Sequence, residues 1–299
     1  MSLRALIAIA TYLRPDELTA LLDSLDPQAT EFGADVIVVD NDAAGSAREI
    51  AEASPVVTTY VIEPVPGIAQ ARNRALDEFD ERYDVILFVD DDETANADWI
   101  GQHVDYLERT DADISQGAVH TDIPADAPRW VHEGGYLQRG IPPTGMLCPS
   151  AATNNTALRR DSWLRGGAPR FDPAYSATGG SDTEFFQRLT DRGLTIHFLA
   201  EAVVHEPTSA HRPTRRWVVR RLTRNGIVAG RVMAARTGRK VVLRHGLAGI
   251  SAGIRHVADD LRHGRVIGAT SSRTLFMGIG EVYSVAGGRI YEYKRAKGS

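Results

Sequence analysis

The chain has 299 residues, of which 43% are hydrophobic and 24% charged, with a net charge of −5. That length buries a substantial core, as one large α/β domain or as a domain with an appendage, and the composition excludes disorder as the default state. Cys148 is the one cysteine, so an internal disulfide and a cysteine-rich zinc site are both excluded, and a reducing compartment fits.

Leu3 to Ala10 is apolar apart from Arg4, but Arg14, Asp16 and Glu17 follow at once without a small-residue cleavage pattern. We read it as a first strand and not as a signal peptide. Thr11 to Pro15 then forms the loop into a helix over Glu17 to Leu25, where Leu18, Leu21, Leu22 and Leu25 recur at helical spacing. Ala34 to Val39 is a second strand that ends at Asp40-Asn41-Asp42. A helix near Ala47 to Ala53 and a strand over Thr58 to Ile62 follow. Pro66-Gly67 introduces a helix over Ile68 to Phe79 that contains Ala71-Arg72-Asn73.

The next strand, Val85 to Val89, is five apolar residues long and runs straight into Asp90-Asp91-Asp92-Glu93. Such a run reads as a strand buried on both faces, and four carboxylates at its exit cannot share that burial without partners. In extended chain Asp90 and Asp92 face one way and Asp91 the other. Ligands bind at that edge of open α/β sheets, and hard divalent cations on phosphates are held by one or two carboxylates; an acidic, solvated turn is the plain alternative.

Beyond it, Ala97 to Glu108 reads as a helix and Asp113 to His120 as a strand. Thr121 to Ser150 is an irregular segment rich in proline and glycine, of the kind that forms lids and binding surfaces. Asn154 to Arg159 is a strand, Gly179-Gly180-Ser181-Asp182-Thr183-Glu184 opens a helix through Leu189, and Leu194 to Val204 is a strand ending at His205. Strand and helix alternating in this way predict a mostly parallel sheet covered on both faces. The tail is helical and basic: between Pro207 and Ala258 there are twelve lysines or arginines and no acid. Val241 to Ile254 is interrupted by Arg244 and His245, so no bilayer-spanning stretch is expected.

The order of Thr11 to Pro15, Val39 to Asp42, Gly67 to Asn73, Phe88 to Asp92, Asn154 to Arg159 and Gly179 to Asp182 resembles the family 2 inverting glycosyltransferases of the GT-A fold. The resemblance runs from about Leu6 to His205. It implies a Rossmann-like sheet flanked by helices, with 1–112 as the nucleotide-sugar half, 113–210 as the half for the acceptor and catalytic base, and 211–299 as a helical extension. It implies transfer of one sugar from a nucleotide-diphosphate sugar, with UDP-sugars favoured, to a glycan, lipid-linked or small-molecule acceptor.

Thr11, Arg14, Asp40, Arg72, Asp90 and Asp91 would then serve the nucleotide, and Asp90, Asp92 and His205 a Mn2+ or Mg2+ ion. Asp182 would be the base. Each has a plainer reading. Asp40 suits a helix cap or turn, Arg72 a helix surface, and a lone histidine such as His205 a hydrogen-bonded framework. Ser181 and Glu184 match a capping box, although the paired glycines before them let backbone approach a ligand closely. Family members often carry Glu-Asp where this chain has Ser181-Asp182, the feature that a non-catalytic, nucleotide-sugar-binding scaffold would share.

Nucleotidylyltransferases have a related sheet but a glycine-rich loop after the first strand, unlike Tyr12-Leu13-Arg14-Pro15. Processive members carry Gln-x-x-Arg-Trp and membrane spans; here Pro213 precedes Arg216-Trp217, which predicts single addition. Arg216, Arg220 and Arg224 share a helical stripe that is either a solvated face or a contact for an anionic membrane or a diphosphate. No nucleic-acid module accompanies the charge. The expected setting is cytoplasmic, with peripheral contact at the inner membrane face and homo-oligomerisation as open options.

Overall fold

The structure is a computed structural model and describes residues 3–176, 178–208 and 214–290. It divides into two compact units. The first comprises the chain through His120 together with Arg139–Ser176 and Ser181–Pro207. Its elements begin with β1 (Ala5–Thr11), α1 (Pro15–Phe32), β2 (Asp35–Asp40), α2 (Arg48–Ala53), β3 (Val57–Ile62) and α3 (Ile68–Asp77). Then come β4 (Val85–Asp90), β5 (Thr94–Ala95), α4 (Trp99–Arg109) and β6 (Ile114–Asp122). In the irregular segment a short helix, α5 (Arg129–Gly134), belongs to the second unit. The first unit closes with β7 (Asn155–Arg159), α6 (Arg160–Arg165), α7 (Ser181–Asp191) and β8 (Ile196–Pro207).

Among the described residues eight strands form one sheet in the order β3-β2-β1-β4-β7-β6-β8-β5. β3, β2, β1 and β4 run parallel. β7 lies antiparallel to both β4 and β6, and β5 antiparallel to β8. Alternation along the strands explains the double burial. Ile7, Ile9, Val85, Leu87 and Val89 pack with Leu18, Leu21, Leu25, Trp99 and Val104 on one side. Leu6, Ala8, Ile86 and Phe88 pack with Ala71, Ala75, Leu76, Phe185 and Phe186 on the other. A strand covered on both faces has no polar side to spare, hence the unbroken apolar runs.

Helix α1 passes the expected end at Leu25 and continues through Pro27 to Phe32. The reason is tertiary. Gln28 is buried just beyond the proline and bridges to the start of α4, donating to the Asn96 carbonyl at 3.0 Å and accepting from the Ile100 N–H at 2.9 Å. At the antiparallel half, buried Asn155 accepts from Trp99 Nε1 and His103 Nε2, both at 2.8 Å, and donates to the Ala118 and Ala202 carbonyls. One side chain thereby ties α4, β6 and β8 to β7. His103 Nδ1 accepts from the Ser115 hydroxyl at 2.7 Å, so the neutral imidazole is fully bonded.

The second unit contains α5, residues 178–180, and three long helices, α8 (Arg215–Thr237), α9 (Arg239–Arg262) and α10 (Ala269–Val285). The Thr214 hydroxyl caps α8 by accepting from the Trp217 N–H at 3.2 Å. Gly226 and Gly280 let α8 and α10 approach backbone to backbone, and Gly246 and Gly278 do so for α9 and α10. Along the basic stripe of α8, Arg216 and Arg220 are exposed and Arg224 is half-buried. Pro213, on which the single-addition expectation turned, lies outside the described residues. Among the described residues no helix is long and apolar enough to cross a membrane.

Burial holds the His103 ring near pKa 4 against an ordinary 6.5, with the Asn155 bond opposing. The unfolded chain therefore takes up this proton first, and the associated stability is complete above the ordinary value and lost as pH falls toward 4. The expected loss is about 3 kcal/mol between about pH 7 and pH 4. Urea unfolding of wild type and His103→Gln at both pH values measures it, the variant losing less by that amount.

Candidate active site

Strand parity sends the acidic run in two directions. Asp90, the last residue of β4, continues the side of Ile86 and Phe88 and so faces α3 and α7. Arg72, buried on α3, donates to Asp90 Oδ1 at 3.2 Å and to the Ser181 hydroxyl at 3.4 Å, with its guanidinium 5.9 Å from the Phe171 ring centre. It is therefore an interior arginine linking the end of β4 to the start of α7, and the helix-surface reading fails. The protein around Asp90 raises its pKa, the Arg72 charge opposes this, and the charges of Asp92 and Asp182 raise it further. Asp90, Asp92 and Asp182 thus share one electrostatic neighbourhood, although 90 and 182 are far apart in the chain.

Asp91 turns the other way, toward β1. The Thr11 hydroxyl donates to its Oδ2 at 2.8 Å and Arg14 to its Oδ1 at 2.9 Å. Burial lifts the Asp91 carboxyl to about 6 despite both partners, with Asp92 and Asp90 adding to the shift. The same Arg14 nitrogen lies 2.9 Å from Asp92 Oδ2. Here the expected alternation breaks down. β4 ends at Asp90, the chain turns, and Asp92 shares a cation with Asp91 instead of simply repeating the direction of Asp90. Thr11 and Arg14, assigned with Asp91 to the nucleotide, both bond to Asp91 and shape the acidic turn.

Asp40 is wholly buried. Its Oδ1 accepts from the Asp42 N–H at 2.9 Å, and its Oδ2 from the Ala47 N–H at 2.7 Å and the Tyr60 hydroxyl at 2.9 Å. This is the turn role weighed for it above. Its neighbour Asn41 donates to the Glu63 and Val65 carbonyls and accepts from the Gly67 N–H, each at 2.8 Å. The exit of β2 is thereby tied to the start of α3.

Asp182 stands in the first turn of α7, half-buried, with Oδ1 accepting from the Thr183 N–H at 2.7 Å. The capping box is not formed. The Glu184 carboxylate pairs with Arg188 at 2.6 Å, and buried Ser181 turns to Arg72. At the second of the paired glycines the near neighbour is protein. Gly180 has φ +93°, and a Cβ there would collide with Val228 of α8, so the close approach is to a helix. Beside it, the Thr178 hydroxyl accepts from Arg231 of α8 at 2.7 Å.

His205 stands on β8 opposite Thr94, its ring 5.5 Å from that of His120. Among the described residues no three or more His, Cys, Asp or Glu side chains form a group that could hold a metal ion. The carboxylates of Asp90 and Asp92 are instead met by guanidinium groups. That donor set suits a hard cation held by one or two acids and completed by phosphate oxygens and water, and does not form an all-protein cage.

Sequence reasoning left Glu93 without a role. It is almost fully buried and accepts from Asn154 Nδ2 at 2.9 Å, with Arg139 and Glu206 close enough to act on it electrostatically. Burial raises its pKa well above the ordinary value, and the Asp90 charge adds to the shift. Its Oε2, Asn154 Oδ1 and Thr153 Oγ1 are buried polar atoms with no hydrogen-bond partner among the described residues. An apolar strand ending in four acids was the available signal, since the last acid has to run back into protein.

Solved structures share this architecture. GalNAc-T7 with UDP, GalNAc and Mn2+ superposes with a TM-score of 0.56 at 14% identity, over 76% of this chain and 48% of that one. This chain thus spans just under half of that protein. S. aureus TarS 1-349 in complex with UDP-GlcNAc gives 0.54 at 14% identity, over 99% of this chain and 95% of that one. The fold is that of the GT-A glycosyltransferases. Residues 6–163 match the description of glycosyl transferase family 2. The chain is also 35% identical over 262 residues to the succinoglycan biosynthesis protein ExoM of Rhizobium meliloti (strain 1021), covering 83% of this chain and 81% of that protein. The chain belongs to glycosyl transferase family 2 and is a glycosyltransferase.

If Val228 sets the course of the backbone into Asp182, then Gly180→Ala slows turnover by about tenfold or more, because an added methyl collides with packed side-chain atoms at a positive φ. Adding Val228→Ala recovers part of that loss. Initial rates of the single and double variants, with melting temperatures as the folding control, test the pair.

Proposed function

We propose that the protein is a metal-assisted, inverting glycosyltransferase that moves one sugar from a nucleotide-diphosphate sugar, UDP-sugars first among them, to an acceptor hydroxyl in polysaccharide assembly. The observation that carries the reading is that Arg72 joins Asp90 to Ser181, the residue before Asp182, in the acidic neighbourhood that also holds Asp92. The relative's part in succinoglycan biosynthesis supports the acceptor class, a growing glycan or lipid-linked saccharide. The bound UDP and UDP-GlcNAc of the similar folds support the donor class.

In this mechanism Asp182 removes the proton from the attacking hydroxyl. One oxygen is steadied by the Thr183 N–H, and the other is available to the acceptor. A carboxylate facing the anomeric carbon opposite the leaving group suits an inverting displacement with an oxocarbenium-like transition state. Arg72 keeps Asp90 and the start of α7 in register, and Arg14 keeps Asp91 and Asp92 in theirs. Asp90 and Asp92 would hold Mn2+ or Mg2+ together with the donor phosphates, with His205 as a candidate further ligand. Such an ion supplies neutralisation of the charge that develops on the departing diphosphate. The sole cysteine fits a cytoplasmic setting.

Purified protein given Mn2+, a UDP-sugar and acceptor is expected to release nucleoside diphosphate. Asp182→Asn should cut kcat by about a hundredfold or more while leaving the donor dissociation constant within about twofold. Parallel loss of donor binding would remove Asp182 from the role of base. EDTA should abolish turnover and added Mn2+ or Mg2+ restore it; full activity in EDTA would refute the metal.

A further inference from the structure

Helix α9 carries an apolar stripe that is half-buried at Ile250 and Val257 and exposed, among the described residues, at Leu243, Leu247, Ile254 and Leu261. Leu243, Leu247, Ile250, Ile254, Val257 and Leu261 follow one another at alternating spacings of four and three, which keeps them on one line along a helix. Leu247, Ile254 and Leu261 are 53%, 57% and 62% exposed. The packed side of α9 is a different one, made by Val242, Gly246 and Gly253, the latter two against Gly278 and Leu275 of α10. Lys240, Arg244, Arg255 and Arg262, all exposed, fall beside the stripe on the flank away from that packed side. The acids of α9, Asp259 and Asp260, lie in its last turn and are engaged, the first by Arg265 and the second by Arg265 at 3.2 Å and the Ser271 hydroxyl at 2.6 Å.

We propose that α9 is a membrane-surface helix, which lays this stripe into the headgroup boundary of an anionic bilayer while its flanking cations meet lipid phosphates. Charge decides the occupant. A second copy seated stripe to stripe would bring the same row of cations onto itself, and like charges beside an apolar seam oppose pairing. An anionic lipid surface complements the apolar line and the cationic flank together. The helix is not apolar enough to cross a bilayer, and its 24 residues give about 36 Å of contact lying flat. The sequence pointed to the basic stripe of α8 for such contact; exposed apolar side chains beside exposed cations favour α9. This inference stands apart from the catalytic reading, since an Asp182→Asn enzyme should bind lipid like wild type.

The test is co-sedimentation of the full chain with sucrose-loaded vesicles of phosphatidylcholine alone or with about one-third phosphatidylglycerol. Wild type and Asp182→Asn are expected on the anionic vesicles, about tenfold or more above neutral ones, with release as salt rises. Leu247→Glu with Ile254→Glu, and separately Lys240→Ala with Arg244→Ala and Arg255→Ala, should each lower binding about tenfold or more. All these side chains are exposed, so melting temperatures should stay at the wild-type value. Absence of wild-type binding to anionic vesicles, or unchanged binding by both variants, overturns the proposal. So does a dimer in sedimentation velocity that Leu247→Glu with Ile254→Glu converts to monomer while vesicles capture nothing, a result that would give the stripe to a second copy.

Discussion

Four carboxylates leave a strand that is buried on both faces, and each has to be reconciled with low dielectric within a few residues. The pleat divides the task. One side of the sheet supplies Arg72 from α3 for Asp90, and the other supplies Thr11 and Arg14, from the end of β1 and the loop beyond it, for Asp91. Glu93, already back inside, takes the amide of Asn154. Removing one partner would leave a buried charge exposed to its like-charged neighbours, a far greater penalty than the modest net gain of any single pair. The loops at this edge of the sheet are arranged around that electrostatic requirement.

Compensation there is incomplete, and the remainder has chemical meaning. The Asp90 carboxyl stays above its ordinary range even with Arg72 beside it, because Asp92 and Asp182 add to the effect of burial. Beside it, Glu93, Asn154 and Thr153 keep buried polar atoms unbonded among the described residues. Fold stability alone would not select surplus negative charge next to unsatisfied polar atoms, whereas a site that receives a polar ligand gains from both.

The second unit is built by different means. Its long helices meet through glycines, which bring backbones together with little apolar bulk, so much of their leucine, isoleucine and valine is left outside. The same close packing reaches the residues before α7, where Val228 and Arg231 of α8 engage Gly180 and Thr178.

The succession of strands and helices was legible because a doubly covered sheet requires unbroken apolar strands, and Val85 to Val89 or Leu6 to Ile9 fit little else. The acidic run and Asp182 stood out in the sequence because carboxylates at element ends rarely serve packing alone. Other features depended on long-range contacts. Gln28 carried α1 past its proline, Val228 was the neighbour that made Gly180 necessary, and Thr11 and Arg14 proved to be partners of Asp91. Local sequence determined which segments are strands and helices and which residues carry charge. The tertiary structure decided which charges meet, because a hydrogen bond or an ion pair depends on separations of a few ångströms between residues that may be a hundred positions apart.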